Sequence, residues 1–259
     1  MALLSVKDIH KSFGGVKAIQ GFSLEADPGE IHGIIGPNGA GKTTFFNCVT
    51  GIYTPTEGQM FLYDADDGRH LLNGKKPHVI TAMGMARTFQ NIRLFKGLTV
   101  EENVMCAFDP QSRYGILGGL LPTPARRAEE KRGRELCRHY LEVVGMKDYM
   151  GERPENLAYG MQRRIEIARA LMCEPKILLL DEPAAGLNPT EVAGLMELIQ
   201  RISKEIGFGI LLIEHRLELV MNVSDLIHVQ NFGKTIAVGT PEQVQHDPEV
   251  IEAYLGKED

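Results

Sequence analysis

Residues Ile31–Ile35 form a short apolar run that passes directly into Gly36-Pro37-Asn38-Gly39-Ala40-Gly41-Lys42-Thr43-Thr44, and few folds accommodate that junction. The segment meets the pattern G-x-x-x-x-G-K-[ST] at every fixed position. The glycines let the backbone curl so that successive N–H groups point inward around a phosphate. A helix opening near Gly41 adds its positive end to the same spot. Lys42 offers an ammonium to β- and γ-phosphates, and the Thr43 hydroxyl can ligate Mg²⁺. Pro37, Asn38, Ala40 and Thr44 complete the nucleotide-binding stretch. A strand, a phosphate loop and a helix in this order predict an α/β fold with a P-loop NTPase core.

A second segment supplies what hydrolysis needs. Ile177-Leu178-Leu179-Leu180 reads as a buried parallel strand, and Asp181-Glu182 ends it. Carboxylates at the carboxyl end of such a strand face the crevice where α/β folds bind ligands. Asp181 is the candidate metal ligand, and Glu182 the group that polarises an attacking water. Guanine-specific P-loop proteins normally carry an N-K-x-D reader. None occurs here, so ATP is the expected nucleotide.

The rest of the chain alternates strands and helices, which favours a mainly parallel sheet with an antiparallel addition. Strands are expected at Leu3–Ile9 and Ile19–Leu24 around a Gly14–Gly15 turn, and at Gln59–Tyr63 after a turn at Pro55–Gly58. Further strands are expected at Ile210–Ile213, Leu226–Val229 and Thr235–Val238. Asn188-Pro189-Thr190-Glu191 has the chemistry of a helix start. Val192, Leu195, Ile199, Ile202 and Ile206 keep that helix's apolar period. Thr240-Pro241-Glu242-Gln243 caps a last helix. Residues 91–160 differ in character: Pro110, Pro122, Pro124 and glycines 115, 118 and 119 break the first half. A charged helix follows over Ala125–Val144, with Leu136, Tyr140, Leu141 and Val144 on one side. This segment reads as an inserted helical subdomain within one domain, with 1–90 and 161–259 making the core, and another helix is expected over Met161–Met172.

Charge and length narrow the function classes. The 259 residues suit one α/β domain with a smaller subdomain, and the formal net charge of −6 announces no nucleic-acid surface. Cys48, Cys106, Cys137 and Cys173 show no metal-ligand spacing and read as reduced thiols, buried or half-buried. The opening MALLSVKDIHKSF has too short an apolar stretch for a signal peptide, and no run of about 18 apolar residues is long enough to span a bilayer. If the protein serves transport, other chains must form the pore.

The segment before the Asp181 strand, Leu157-Ala158-Tyr159-Gly160-Met161-Gln162-Arg163-Arg164, resembles the signature loop of ATP-binding subunits of ABC transporters. The resemblance covers essentially the whole chain and implies the ABC ATPase fold, ATP and Mg²⁺. It also implies two ATPase subunits facing head to tail, each ATP being touched by Ala158, Tyr159, Gly160 and Met161 of the opposite subunit. On the same resemblance, Phe13 stacks on adenine, and Gln90 touches Mg²⁺ and the lytic water. His215 contacts the γ-phosphate, and Ala185-Gly186-Leu187-Asn188 forms the D-loop. Ala158, Tyr159 and Met161 depart from the common LSGGQ. Arg216 stands where an acid is usual.

Within the family, ARTFQNIRLF-GLTVEENV, the insertion LLPTPARR over Leu120–Arg127, DEPAAGLNP and the tail VIEAYLG resemble branched-chain amino-acid importer ATPases of the Liv type. That subgroup implies separate transmembrane permease subunits, an extracytoplasmic solute-binding protein and a peripheral place on the cytoplasmic face of the cell membrane. Leu94, Phe95, Leu98 and Val100 then fall where the membrane subunits dock. One alternative is a soluble ABC ATPase acting on DNA repair or ribosomes, which the acidic balance and the single ATPase unit disfavour. Another is a nucleotide-binding regulator that never hydrolyses, which the presence of Glu182 disfavours.

Overall fold

A computed structural model describes residues 2–64, 68–108 and 124–255. Pro110, the glycines at 115, 118 and 119, Pro122, the first part of the Leu120–Arg127 insertion and Gly256 of the tail lie outside these residues.

The chain divides into two compact units: Met1–Arg87 with Lys176–Asp259, and Thr88–Pro175 between them. The inserted unit is therefore wider than the 91–160 read from composition. It takes in the helix after the signature, because that helix packs with the other helices of the insertion rather than with a sheet.

The first unit holds two sheets. Strands β1 (Leu4–Phe13), β2 (Val16–Ala26), β4 (Glu57–Tyr63) and β5 (Arg69–Leu71) form an antiparallel sheet in the order β2-β1-β4-β5. The expected Gly14–Gly15 turn closes the β1–β2 hairpin, and Phe13 pairs with Val16 across it. The larger sheet has the order β10-β9-β3-β8-β7-β6. Its members are β3 (Ile31–Ile35), β6 (Met85–Arg87), β7 (Ile177–Asp181), β8 (Gly209–Ile213), β9 (Leu226–Asn231) and β10 (Lys234–Gly239). β3, β6, β7, β8 and β9 run parallel, and β10 turns back antiparallel at the edge. Every residue of β3, β7 and β8 is buried, which is why these strands read as unbroken apolar runs rather than alternating ones.

Helix α1 (Lys42–Val49) is only eight residues long, so packing rather than intrinsic propensity holds it. Phe45 and Phe46 are 2% and 0% exposed, in a cluster with Phe22, Ile34, Met60, Leu62, Ile177 and Leu211. Each such side chain contributes roughly 1.5–3 kcal/mol when buried. The phosphate loop thus rides on a short helix nailed to the core of both sheets. Helix α2 (Pro77–Ala82) lies between β5 and β6.

In the second unit, α3 (Val100–Met105) begins with a Thr99–Glu102 capping box, α4 spans Pro124–Val143 and α5 spans Tyr159–Leu171. Gly133, Cys137, Tyr140 and Leu141 make the buried face of α4, whereas Leu136 is only half-buried. Back in the first unit, α6 (Pro189–Ile206) is capped as its sequence predicts, by Asn188 and Glu191 in a reciprocal box. Ile206 falls on its last turn and is exposed, so Leu198 rather than Ile206 completes the buried stripe. Helix α7 (Leu217–Val223) follows β8. Thr240 caps α8 (Pro241–Gln245), which is not the last helix: α9 (Pro248–Leu255) comes after it. All four cysteines are free, and Cys106 is exposed, against the expectation of burial. Among the described residues no helix is long and apolar enough to cross a membrane.

Candidate functional site

The phosphate loop takes its shape from contacts that exclude side chains. Gly41 is left-handed (φ 101°) and caps α1, and a Cβ there would meet the Ala18 carbonyl oxygen at 2.3 Å. At Gly36 a Cβ would meet the Gln230 carbonyl oxygen at 2.0 Å. Both are backbone contacts that no rotamer can relieve, so these two positions of the motif are steric requirements. Lys42 is buried, and its ammonium donates to the carbonyl oxygens of Gly36 (2.6 Å) and Pro37 (2.9 Å). Burial lowers its pKa from the usual lysine value, and the Glu182 carboxylate partly counters that.

A cleft of about 400 Å³ opens over this loop. It is lined by Asn38, Gly39, Ala40, Gly41, Lys42, Thr43 and Thr44, by Glu182 and His215, and by Val16, Lys17, Ala18 and Phe232. Residues from five separate stretches of sequence therefore converge on one space. His215 Nε2 lies 3.0 Å from Glu182 Oε1. Glu182 is left-handed (φ 46°), a conformation that costs a non-glycine residue roughly 1–2 kcal/mol. Its amide donates to the Ile213 carbonyl (2.8 Å), continuing the β7–β8 pairing one residue past the strand.

Asp181 makes a buried ion pair: Arg87 Nη2 to Asp181 Oδ2 is 2.6 Å. The same guanidinium donates to Asn47 Oδ1 (2.8 Å) and Thr50 Oγ1 (3.3 Å) on and just after α1. Sequence reading missed Arg87, which has no spacing that marks it. It also missed Glu214, whose carboxylate accepts from the amides of Ala184, His215 and Arg216.

Not every expected residue joins the cleft. Phe13 is half-exposed and packs edge-on against Tyr53 (centroids 5.1 Å apart), with the Lys11 ammonium 5.0 Å from its ring. Val16 and Ala18, rather than Phe13, line the cleft on that side. Pro37 borders a neighbouring cleft with Asn38, Phe232 and residues of α9.

The second unit carries Gln90 and the signature segment. Gln90 is exposed in side chain, while its carbonyl accepts from Arg163 Nη2 (2.7 Å) and the Phe89 carbonyl accepts from Arg163 Nη1 (2.7 Å). Arg163 is itself 1% exposed and paired with the buried Glu166. Burial raises the Glu166 carboxyl above its ordinary range, with Arg163 opposing. Sequence reading missed this pair, although an Arg and a Glu three residues apart on one helix face were its signal. α5 begins at Tyr159, and Ala158 just before it supplies no side-chain cap, so Gly160 and Met161 lie inside the first turn. Ala158 and Tyr159 are exposed, and Gly160 and Met161 half-buried. The loop before α3 is organised by the buried Asn103, which accepts from the Phe95 amide (2.8 Å) and donates to the carbonyls of Phe95, Leu98 and Thr99. That leaves the Phe95 ring 56% exposed, Leu94 and Leu98 half-buried and Val100 buried.

A glycine cradle with a buried lysine, a carboxylate–imidazole pair across it and a parallel sheet beneath define a nucleotide-binding ATPase of the P-loop class. The comparison with known proteins narrows the class. A family model described as ABC transporter matches residues 19–185, and a model described as branched-chain amino acid ATP-binding cassette transporter matches residues 234–259. The chain belongs to the ABC transporter ATP-binding family and has the ABC ATPase fold. It is 48% identical over 255 residues to the high-affinity branched-chain amino acid transport ATP-binding protein LivG of Escherichia coli K12, covering 98% of each chain. It is 46% identical to BraF of Pseudomonas aeruginosa, described in the same words, again over 98% of each. The crystal structure of the ADP conformation of an ABC transporter cassette, MJ1267, superposes with a TM-score of 0.82 at 30% identity, over 99% of this chain and 100% of that one. These relatives do not favour the soluble, non-transport alternative.

Proposed function

We propose that this chain energises the uptake of branched-chain or closely related amino acids by hydrolysing ATP beneath separate permease subunits. The observation that carries the reading is the 3.0 Å Glu182–His215 pair in the cleft over Lys42. An acceptor and an imidazole held together within reach of a phosphate cradle suit a carboxylate that orients water and a histidine that donates to the γ-phosphate. Lys42 and the loop amides hold the phosphates in the ground state. Moving the Lys42 ammonium from two backbone carbonyls onto phosphate oxygens exchanges neutral partners for charged ones, which strengthens both bonds.

Thr43 and Asp181 offer a hydroxyl and a carboxylate, an all-oxygen set that suits Mg²⁺. Asp181 would serve through the oxygen that Arg87 does not hold. The ion, when bound, neutralises phosphate charge. Phe13 is the adenine contact in this reading, with Val16 beside it. Ala158, Tyr159, Gly160 and Met161 are the contacts for the ATP of a facing subunit in this reading: α5 starts there with no side-chain cap, although the Met161 amide already donates to the Ala158 carbonyl. Phe95, turned outward by Asn103, is the docking residue for the permease, and an extracytoplasmic binding protein supplies the solute to it. The site of action is the cytoplasmic face of the membrane.

Three variants test this together. Lys42→Ala should lose ATP binding. Glu182→Gln should keep it, lose roughly 10²–10⁴-fold in turnover, and accumulate an ATP-bound dimer on gel filtration. Gly160→Asp should bind ATP as an isolated chain but fail to dimerise. Full turnover by Glu182→Gln removes the hydrolysis mechanism, and leucine uptake that survives deletion of this chain removes the transport role.

A further inference from the structure

We propose that Glu214 is a positioning residue for hydrolysis: it staples the loop that carries Glu182 to the loop that carries His215, and Arg216 adds a second rung. The inference rests on the roles given above to Glu182 and His215.

Glu214 is the first residue after β8, where a carboxylate would ordinarily reach for water or a cation. It is 3% exposed instead. One carboxylate oxygen accepts from the Ala184 amide at 2.7 Å, two residues beyond Glu182. The other accepts from the amides of His215 (2.8 Å) and Arg216 (3.1 Å). Each oxygen thus holds a different loop. A little further along, Arg216 Nη2 donates to the Leu187 carbonyl at 2.8 Å, so the same two loops are joined again at the start of α6.

The staple has something to oppose. Glu182 sits in the left-handed region, which a non-glycine side chain keeps only where its surroundings over-determine it. Its own amide is fixed by Ile213, and the chain beyond it is fixed by Glu214 through Ala184. Released from that second tether, the turn would relax toward ordinary backbone geometry and carry the Glu182 carboxylate away from His215. A charged carboxylate is required because three amides need acceptor lone pairs on two separate oxygens. Glutamine has the same shape but only one acceptor oxygen. Its NH₂ group would face an N–H on one side or the other, opening one half of the staple while the core stays filled.

Glu214→Gln is therefore the test, with Glu182→Gln run beside it. ATP affinity, measured by calorimetry, should stay within about twofold, because Lys42 and the loop amides are untouched. The value of kcat should fall about 10- to 100-fold, the usual cost of displacing a reacting group by an ångström or less. Amide exchange read by mass spectrometry should quicken in peptides covering Ala184, His215 and Arg216 and stay slow in β3 and α1. Three results overturn the proposal: parental kcat, unchanged exchange in those peptides, or a loss of kcat matched by equal losses of ATP affinity and thermal stability. If Glu182→Gln turns over normally, the hydrolysis reading falls and the staple loses its purpose. If Glu182→Gln is dead and Glu214→Gln is parental, the staple alone falls.

Discussion

The buried pair between Arg87 and Asp181 makes a quantitative test of how the ATPase core is held in the absence of ligand. Both side chains are more than nine-tenths buried, and the guanidinium also bonds Asn47 and Thr50. Arg87→Met keeps most of the apolar volume against Phe46 but strands the Asp181 charge. Removing one partner of a buried pair costs about 3–5 kcal/mol, because the survivor keeps its desolvation penalty. For a chain of this size each kcal/mol lowers Tm by about 2–4 °C, so a fall of about 6–20 °C is expected. Asp181→Asn strands the opposite charge and should cost a similar amount. The double variant strands neither, so it should be less destabilised than the sum of the singles by roughly 2 kcal/mol or more. Urea unfolding without nucleotide or Mg²⁺ is the assay, since either ligand would add its own stabilisation. A loss below about 1 kcal/mol in Arg87→Met, or strict additivity in the cycle, would show that the pair is wet in solution and does not bind β6 to β7.

Three other outcomes are expected. His228 is buried against His32 (3.2 Å), and burial first, then the His32 charge, holds its pKa down at about 3. The folded protein therefore refuses a proton that the unfolded chain accepts near pH 6.5. Stability is full above that pH and falls by up to about 1.4 kcal/mol per unit as pH drops from 6.5 toward 3, a slope that His228→Asn should lack in urea titrations at stepped pH. Gly41→Ala should abolish ATP binding because its Cβ meets the Ala18 carbonyl, whereas Gly39→Ala, with nothing within 4 Å, should cost only the backbone penalty of about 1–2 kcal/mol. Identical behaviour of the two variants in a binding assay would contradict the steric account. Phe95→Asp should melt within about 2 °C of the parent, as exposed substitutions do, and keep soluble ATPase activity while uptake through the permease is lost. Normal transport by this variant would move the docking surface elsewhere.

Much of the fold was legible because it is written in short-range patterns. β3, β7 and β8 announce themselves as apolar runs of strand length, and Asn188 and Thr240 as caps with their N3 partners in place. The phosphate loop and the Asp181-Glu182 pair were legible for the same reason: their chemistry needs fixed spacings. β5 and β6, three residues each, were not read, since three residues carry no period and their pairing with β4 and β7 is decided by tertiary context. Composition marks where proline and glycine cluster, not which helices pack together, so the 91–160 expected from it falls inside the unit Thr88–Pro175. Arg87 and Glu214 are invisible for a deeper reason. Their partners lie on other elements or are backbone groups, and neither leaves a mark in local sequence. Asn103, whose bonds to Phe95, Leu98 and Thr99 leave the Phe95 side chain exposed, carries no such mark either.

The strand order of the larger sheet bears on how the protein is born. β3, which carries the phosphate loop, is made within the first 35 residues, yet its two neighbours are β8 and β9, made only after residue 208. The antiparallel sheet, by contrast, draws all four strands from residues 4 to 71 and can assemble on a short nascent chain. During synthesis, therefore, the ribosome releases the glycine loop long before the two strands beside β3 exist. Gly36 cannot be seated until Gln230 and its strand have emerged, because the carbonyl that it packs against belongs to that strand. A nascent chain arrested before residue 226 should carry the whole phosphate motif and still be unable to retain ATP, so nucleotide capture is confined to completed chains.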